Sequence, residues 1–197
     1  MKMPFNLNFG NPAKIILTLA VLVWSGIGPF DRATWWMEVA PVILVLPFLI
    51  LMRRKIPLSA ISYNWLTVWG IILMVGGHWT YAQVPIGFWV QDALDLSRNH
   101  YDRFAHFMQG VIPAVVFREL FLRWTPLKKG GWLFFMVCTS VLALSACYEI
   151  IEWWAGALGE ESAEAFLGTQ GDVWDTQWDM FLALCGALTA QILMRRN

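Results

Sequence analysis

The sequence predicts an all-α polytopic membrane protein with six transmembrane helices and both termini in the cytoplasm. Three observations carry that prediction. Residues of the set AVILMFWYC make up 58% of the 197 positions and charged residues only 14%, against about 25% charged in a soluble domain. Apolar stretches of roughly 20 residues, the length of a bilayer core, recur along the whole chain with breaks too short for a separate soluble domain. Lysine and arginine collect on one side of those breaks. An open sheet would strand backbone groups in lipid, so the spans are helices, and residues 1–197 read as a single integral-membrane domain.

The first span covers residues 13–30 and carries Lys14 near its start. It ends in Ser25-Gly26-Ile27-Gly28-Pro29 without a small-x-small cleavage site, so it is expected to be a retained span rather than a removed signal. The next spans are 36–52 and 61–81. Segment 84–98 is too polar to cross; its apolar residues Ile86, Trp89, Val90, Ala93, Leu94 and Leu96 predict a short helix lying on the outer surface. Spans over 102–124, 131–155 and 176–194 complete the set. The breaks hold turn and charge signals: Asp31-Arg32, Arg53-Arg54-Lys55-Ile56-Pro57, Thr125-Pro126 through Gly130, and the acidic, glycine-bearing stretch 159–171. No internal repeat is present, and with it no transporter-style pair of halves.

Orientation follows from the basic residues. Lys2, Lys14, Arg53, Arg54, Lys55, Arg118, Arg123, Lys128, Lys129, Arg195 and Arg196 fall on one side, and only Arg32, Arg98 and Arg103 on the other. The first side is therefore cytoplasmic. Of the acids only Glu119 lies at the inner end, beside Arg118 and one turn from Arg123. The other acids and all three histidines lie toward the outside. Most of the thirteen tryptophans sit near span ends, as expected of interface anchors. Cys138, Cys147 and Cys185 fall within apolar runs and form no CxxC, which makes them small packing residues. Fourteen basic residues cancel fourteen acidic ones, so no nucleic-acid partner is expected. Membrane lipid is the expected surrounding.

Candidate chemistry concentrates at the outer ends of the last three spans. Asp102 and His106 are four apart and share a helical face that continues through Gln109, Gly110 and Pro113. Ser145, Glu149 and Glu152 form one stripe on the fifth span. Asp172, Asp175 and Asp179 share a face at the entrance of the sixth, followed by the small residues Ala183 and Gly186. Asp172 or Thr169 also reads as a helix cap. Charged groups inside apolar spans cost about 2.5–3.5 kcal/mol each and usually mark function. Six carboxylates, Asp102, Glu149, Glu152, Asp172, Asp175 and Asp179, would repel one another, and Arg103 and Arg98 neutralise two at most. Either some are protonated or a divalent cation sits among them, with His106 and, as a further candidate, His78 as nitrogen ligands. Mixed carboxylate and imidazole ligands suit zinc, manganese or iron. A hydrogen-bonded structural network and a proton or cation pathway are the competing readings, and His78 and His100 also fit simple interface and surface roles.

Several enzyme classes are excluded. Three histidines are too few for the histidine boxes of membrane di-iron enzymes, and Ser97-Arg98 followed by His106 lacks the spacing and companion motifs of lipid phosphatases. Neither a GxSxG serine nor a phosphate-cradling glycine loop occurs.

The runs Asp102-Arg103-Phe104-Ala105-His106-Phe107, Glu149-Ile150-Ile151-Glu152-Trp153 and Gly168-Thr169-Gln170-Gly171-Asp172-Val173-Trp174-Asp175-Thr176-Gln177-Trp178-Asp179-Met180 together resemble the YjdF-type family of uncharacterised proteins. That resemblance spans the whole chain and implies a multi-pass protein of the bacterial inner membrane without an assigned activity. A more distant likeness is to VanZ-like membrane proteins, whose pattern Asp102-Arg103 with His106, Glu149 with Glu152, and Asp172 with Asp175 and Asp179 matches in order. The arginine expected before the final aspartates, and the asparagine after them, are missing here.

Two functions follow as expectations. The first is a metal-dependent hydrolase or transferase acting on a lipid-linked or envelope substrate. Asp102, His106, Glu149, Asp175 and Asp179 would hold the metal, and Glu152 would serve as the catalytic base. The second is a non-enzymatic envelope protein, or a small proton- or cation-coupled transporter, that uses the same cluster structurally.

Overall fold

A computed structural model describes residues 12–158 and 169–195. Lys2, Arg196 and most of the acidic 159–171 break lie outside the described residues. Among the described residues the chain forms seven helices: α1 (Pro12–Ser25), α2 (Arg32–Met52), α3 (Ala60–Trp79), α4 (Pro85–Leu94), α5 (Tyr101–Trp124), α6 (Gly131–Leu158) and α7 (Asp175–Met194). Five of them, α2, α3, α5, α6 and α7, are long and apolar enough to cross a membrane. The protein is all-α and polytopic.

The first expected span differs from what is observed. α1 stops at Ser25 instead of Phe30 and has 14 residues, a rise of about 21 Å against a hydrocarbon core of about 30 Å. The turn chemistry explains the stop. Gly28 takes a φ of 61° ahead of Pro29, Arg32 Nη1 donates to the freed Gly26 carbonyl at 2.7 Å, and the Phe30 amide donates to the His78 carbonyl at 2.9 Å. The chain is thereby drawn across the end of α3 before it can complete another turn.

Caps set the remaining boundaries. Asp31 caps α2 by accepting from the Thr34 amide at 2.7 Å, and that bond holds its carboxyl below the usual carboxylate range. Ser59 caps α3 through the Ser62 amide at 3.2 Å. Pro85 opens α4 at a position where no amide is needed. As expected for a surface helix, α4 leaves Ile86, Trp89 and Leu94 exposed. Asn99, fully buried, ties α4 to α5: its amide donates to the Val84 carbonyl at 3.0 Å and its carbonyl oxygen accepts from the Tyr101 amide at 3.0 Å.

The most extensive packing joins α5 to α7. A Cβ on Gly110 would overlap the Ala183 carbonyl, and one on Gly186 would overlap the Phe107 carbonyl, so the two backbones meet through glycine as small-residue membrane crossings do. α6 packs along both of these helices, α3 lies against α5, and α2 packs on α3. At the end of the bundle where α3 begins, Glu119 gathers four donors. Arg123 Nη2 lies at 2.6 Å, the Ser59 amide at 2.6 Å and the Ser59 hydroxyl at 2.8 Å, and the Ser62 hydroxyl also donates to it.

Candidate functional site

The predicted face of α5 is the one that turns inward: Asp102, His106, Gln109, Gly110 and Pro113 are all buried. Ser145, Glu149 and Glu152 of α6 are buried as well, and so are Asp175 and Asp179 at the start of α7. The Gly110–Gly186 contact fixes α7 against α5, which lets carboxylates from both helices approach one imidazole.

Three of these groups converge on one point. Asp102, His106 and Asp179 each offer a ligand atom, and these atoms lie within 4.8 Å of one another. Their exposures are 8%, 6% and 3%. A cation about 2.1 Å from each ligand needs ligand separations of roughly 3–4 Å, so a small inward movement would complete the contact. The donor set of one imidazole and two carboxylates suits a divalent transition metal. This buried group could hold a metal.

His106 is flanked on both ring nitrogens. Nε2 lies 3.6 Å from Asp102 Oδ1, and Nδ1 lies 3.7 Å from Glu149 Oε1. Glu149 therefore faces the nitrogen opposite the Asp102 side, the place from which a carboxylate orients a ligating histidine. Asp175 is engaged differently, accepting from Arg98 Nη1 at 2.9 Å. Arg98 also donates to the Thr169 carbonyl at 3.0 Å and lies 3.6 Å from Asp172. Arg103 Nη2 reaches Asp172 at 2.6 Å, and the Arg103 Cζ lies 5.3 Å from the Trp178 ring centre. The capping role expected for Asp172 or Thr169 is not observed: α7 has Trp174 at its N-cap and no side-chain cap, and the Asp172 Oδ1 instead accepts from the Trp174 amide at 2.9 Å, a turn bond two residues on that precedes the helix. Gln170, at a φ of 46°, donates to the Asn99 carbonyl at 2.9 Å. The polar residues that open α7 thus anchor the segment preceding α5.

One acid at the site was not singled out by sequence reasoning. Glu38 of α2 is buried and accepts from the Tyr148 hydroxyl of α6 at 2.8 Å. Tyr81 lies beside it; Thr80 and Tyr81 take φ values of 52° and 49°, and this turn sets the Tyr81 ring over Gly76, where a Cβ would overlap it. Consecutive non-glycine residues in the left-handed region cluster at functional sites. The available signal was a lone carboxylate in the apolar run of α2.

A cavity of about 350 Å³ opens from this cluster. Its polar end presents Glu38, Asp102, His106, Gln109, Tyr148 and Glu152; its other walls are almost wholly apolar. With Glu149, Asp172, Asp175 and Asp179 added, seven carboxylates share the region with two guanidiniums, Arg98 and Arg103. Among the described residues several polar atoms of the cluster, His106 Nδ1, Ser145 Oγ, Glu149 Oε1, Asp175 Oδ2 and Asp179 Oδ1, are buried without a hydrogen-bond partner.

The other histidines stand outside this group. His78 Nδ1 lies 2.9 Å from the Ser25 carbonyl, and its ring stacks on Trp24 at 4.8 Å, an interface role joining α1 to α3. His100 precedes α5, where burial, with Arg103 and Arg98 nearby, lowers its pKa from the ordinary value.

Comparison with known proteins supplies a family. DUF2238, described as a predicted membrane protein, matches residues 13–197. The inner membrane protein YjdF of Escherichia coli (strain K12) is 50% identical over 186 residues, covering 94% of this chain and 88% of that protein. No solved structure matches the chain.

Proposed function

The chain belongs to the DUF2238 family and is a multi-pass inner-membrane protein; from that location, which names no reaction, we propose a divalent-cation-dependent hydrolase or transferase acting at the outer face on a lipid-linked substrate. The observation that carries this reading is the burial of Asp102, His106 and Asp179 around one point. A divalent cation supplies Lewis acidity toward a phosphoryl or acyl oxygen and lowers the pKa of water. Asp102, His106 and Asp179 hold it. Glu149, 3.7 Å from Nδ1, would orient the imidazole on closing to hydrogen-bond distance, and Asp175 positions Arg98. Glu152, at the polar end of the cavity, is the catalytic base toward an attacking water or hydroxyl. Beyond the cluster the cavity walls are mostly apolar, with Tyr63 and Thr67 the hydroxyls near the start of α3, which favours a bound apolar ligand over ion passage.

In this reading residues 1–197 act as one domain, α1 is the sixth span, and both termini are cytoplasmic by the eleven-to-three distribution of basic residues. A reporter fused after Asn197 should report the cytoplasm, and one inserted at Asp95 the outside. The reverse result at both sites would put the cluster on the wrong face.

The metal test is a stoichiometry. Purified protein, stripped with chelator and reloaded with zinc, manganese or iron, should retain about one ion per chain. His106→Ala and Asp179→Asn should lose it, and the surface control Asp92→Asn on α4 should keep it. Metal-free protein after reloading, or full occupancy in both cluster variants, would end the metal-dependent reading.

A further inference from the structure

The cavity is open on one side. α2 packs on α3, but no comparable packing joins α2 to α5 or α6 among the described residues. Between them lies a cleft whose walls include Val45 and Leu46 of α2, Leu66 of α3, Val116 and Phe117 of α5, and Leu144 of α6. Val45 is 41% exposed, so the wall reaches the lipid-facing surface. At about 350 Å³ the space lies within the usual range of small-molecule sites, roughly 300–1,000 Å³. An apolar slot inside a bilayer suits a hydrocarbon chain that enters sideways, without leaving the lipid phase.

The polar end limits the head that such a chain can carry. No lysine or arginine lines it, and Arg98 and Arg103 are engaged by Asp172 and Asp175. Carboxyl groups outnumber guanidiniums here by seven to two. A bare phosphate would find no lysine or arginine in the lining, whereas hydroxyl or ammonium donors would meet the carboxyl oxygens of Glu38 and Glu152.

We propose that the cleft between α2 and α5–α6 seats the single apolar chain of a membrane lipid whose head offers hydrogen-bond donors, hydroxyl or ammonium, to Glu38 and Glu152. This names the substrate class of the proposed enzyme and so rests on that reading for its chemistry, though not for binding. Glu38 becomes a recognition residue, held in place by the Tyr148 hydroxyl.

The full chain in phosphatidylcholine nanodiscs, whose head groups carry no donor, is titrated with hexadecyl glucoside, hexadecylamine and hexadecyl phosphate. The thermal midpoint and the bound metal are read on the same samples. A saturable rise in Tm with the glucoside identifies a hydroxyl head and a rise with the amine an ammonium head; the phosphate should give no comparable rise. Leu66→Trp and Val116→Phe, two independent ways of filling the cleft, should each remove the rise while leaving metal content at the wild-type level. Glu38→Gln should weaken binding about tenfold, the size of one charge-assisted hydrogen bond. An equal rise with the phosphate, a rise that survives both cleft-filling variants, an unchanged affinity in Glu38→Gln, or no rise with any probe would overturn the proposal. A chain-dependent rise in protein that binds no metal would defeat the enzymatic reading and leave this one standing; bound metal without the rise would do the opposite.

Discussion

The two ends of the bundle handle buried acid in opposite ways. At one end a single carboxylate, Glu119, receives an arginine, two serine hydroxyls and a backbone amide from the start of α3. At the opposite end seven carboxyl groups share two arginines, and several of their oxygens have no partner among the described residues. Desolvating a charge is tolerable when hydrogen bonds and a counter-charge replace water, and expensive when they do not. The Glu119 site therefore reads as a fastener between α3 and α5. The opposite site keeps an excess of carboxyl groups over donors, which is the arrangement a cation or a donor-rich ligand relieves.

That contrast is open to direct attack. Glu119→Ala should have the largest effect, a loss on the order of 3 kcal/mol, because it removes the counter-charge of Arg123 and the acceptor of three further donors; denaturant titration in detergent would measure it, and a loss under half that size would remove the difference between the ends. Gly186→Val should follow at about 1–3 kcal/mol by overpacking against the Phe107 carbonyl, and should weaken metal retention as well, since it separates Asp179 from His106. In chelator-treated protein Asp179→Asn should go the other way, raising stability by on the order of 1 kcal/mol as one repelling charge is removed; a loss in the metal-free state would mean that the surplus is only formal. The smallest effect belongs to His100. Its folded pKa lies below the ordinary 6.5, so the folded state resists protonation. The resulting penalty is absent above the unfolded value and grows as pH falls from 6.5 toward the folded value. His100→Gln should slightly flatten the decline of Tm between pH 7 and pH 5 relative to wild type.

Helix identity and the inward face of α5 were legible because a bilayer makes apolar length and four-residue spacing decisive; Asp102, His106 and Gln109 lie buried where that spacing puts them. The end of α1 was less legible. The apolar run continues through Ile27 and Phe30, but Gly28, Pro29 and the bond to His78 override it. Roles within the cluster were harder still. Glu149 and Asp179 both project toward His106, and which ring nitrogen each one meets depends on helix rotation and on the glycine crossing, which spacing along the chain does not encode. Glu38 escaped because its partner Tyr148 stands 110 residues away, and the lone acid in α2 counted only among the acids lying toward the outside.

The glycine crossing also bears on the order in which the chain is built into the membrane. α7 brings Asp175 and Asp179 toward the bilayer last, and an isolated helix bearing such acids partitions poorly, at about 2.5–3.5 kcal/mol for each acid placed deep. Because Gly110 and Gly186 allow backbone contact, α7 can dock along α5 as it enters. There it exchanges lipid for the side chains of α5 and finds Arg98 waiting for Asp175. Until that docking α5 presents Asp102 and His106 to lipid or to the translocation machinery. A nascent chain released before Asp175 should accordingly be a substrate for quality-control proteolysis, and the last helix acts as the step that commits the protein to its fold.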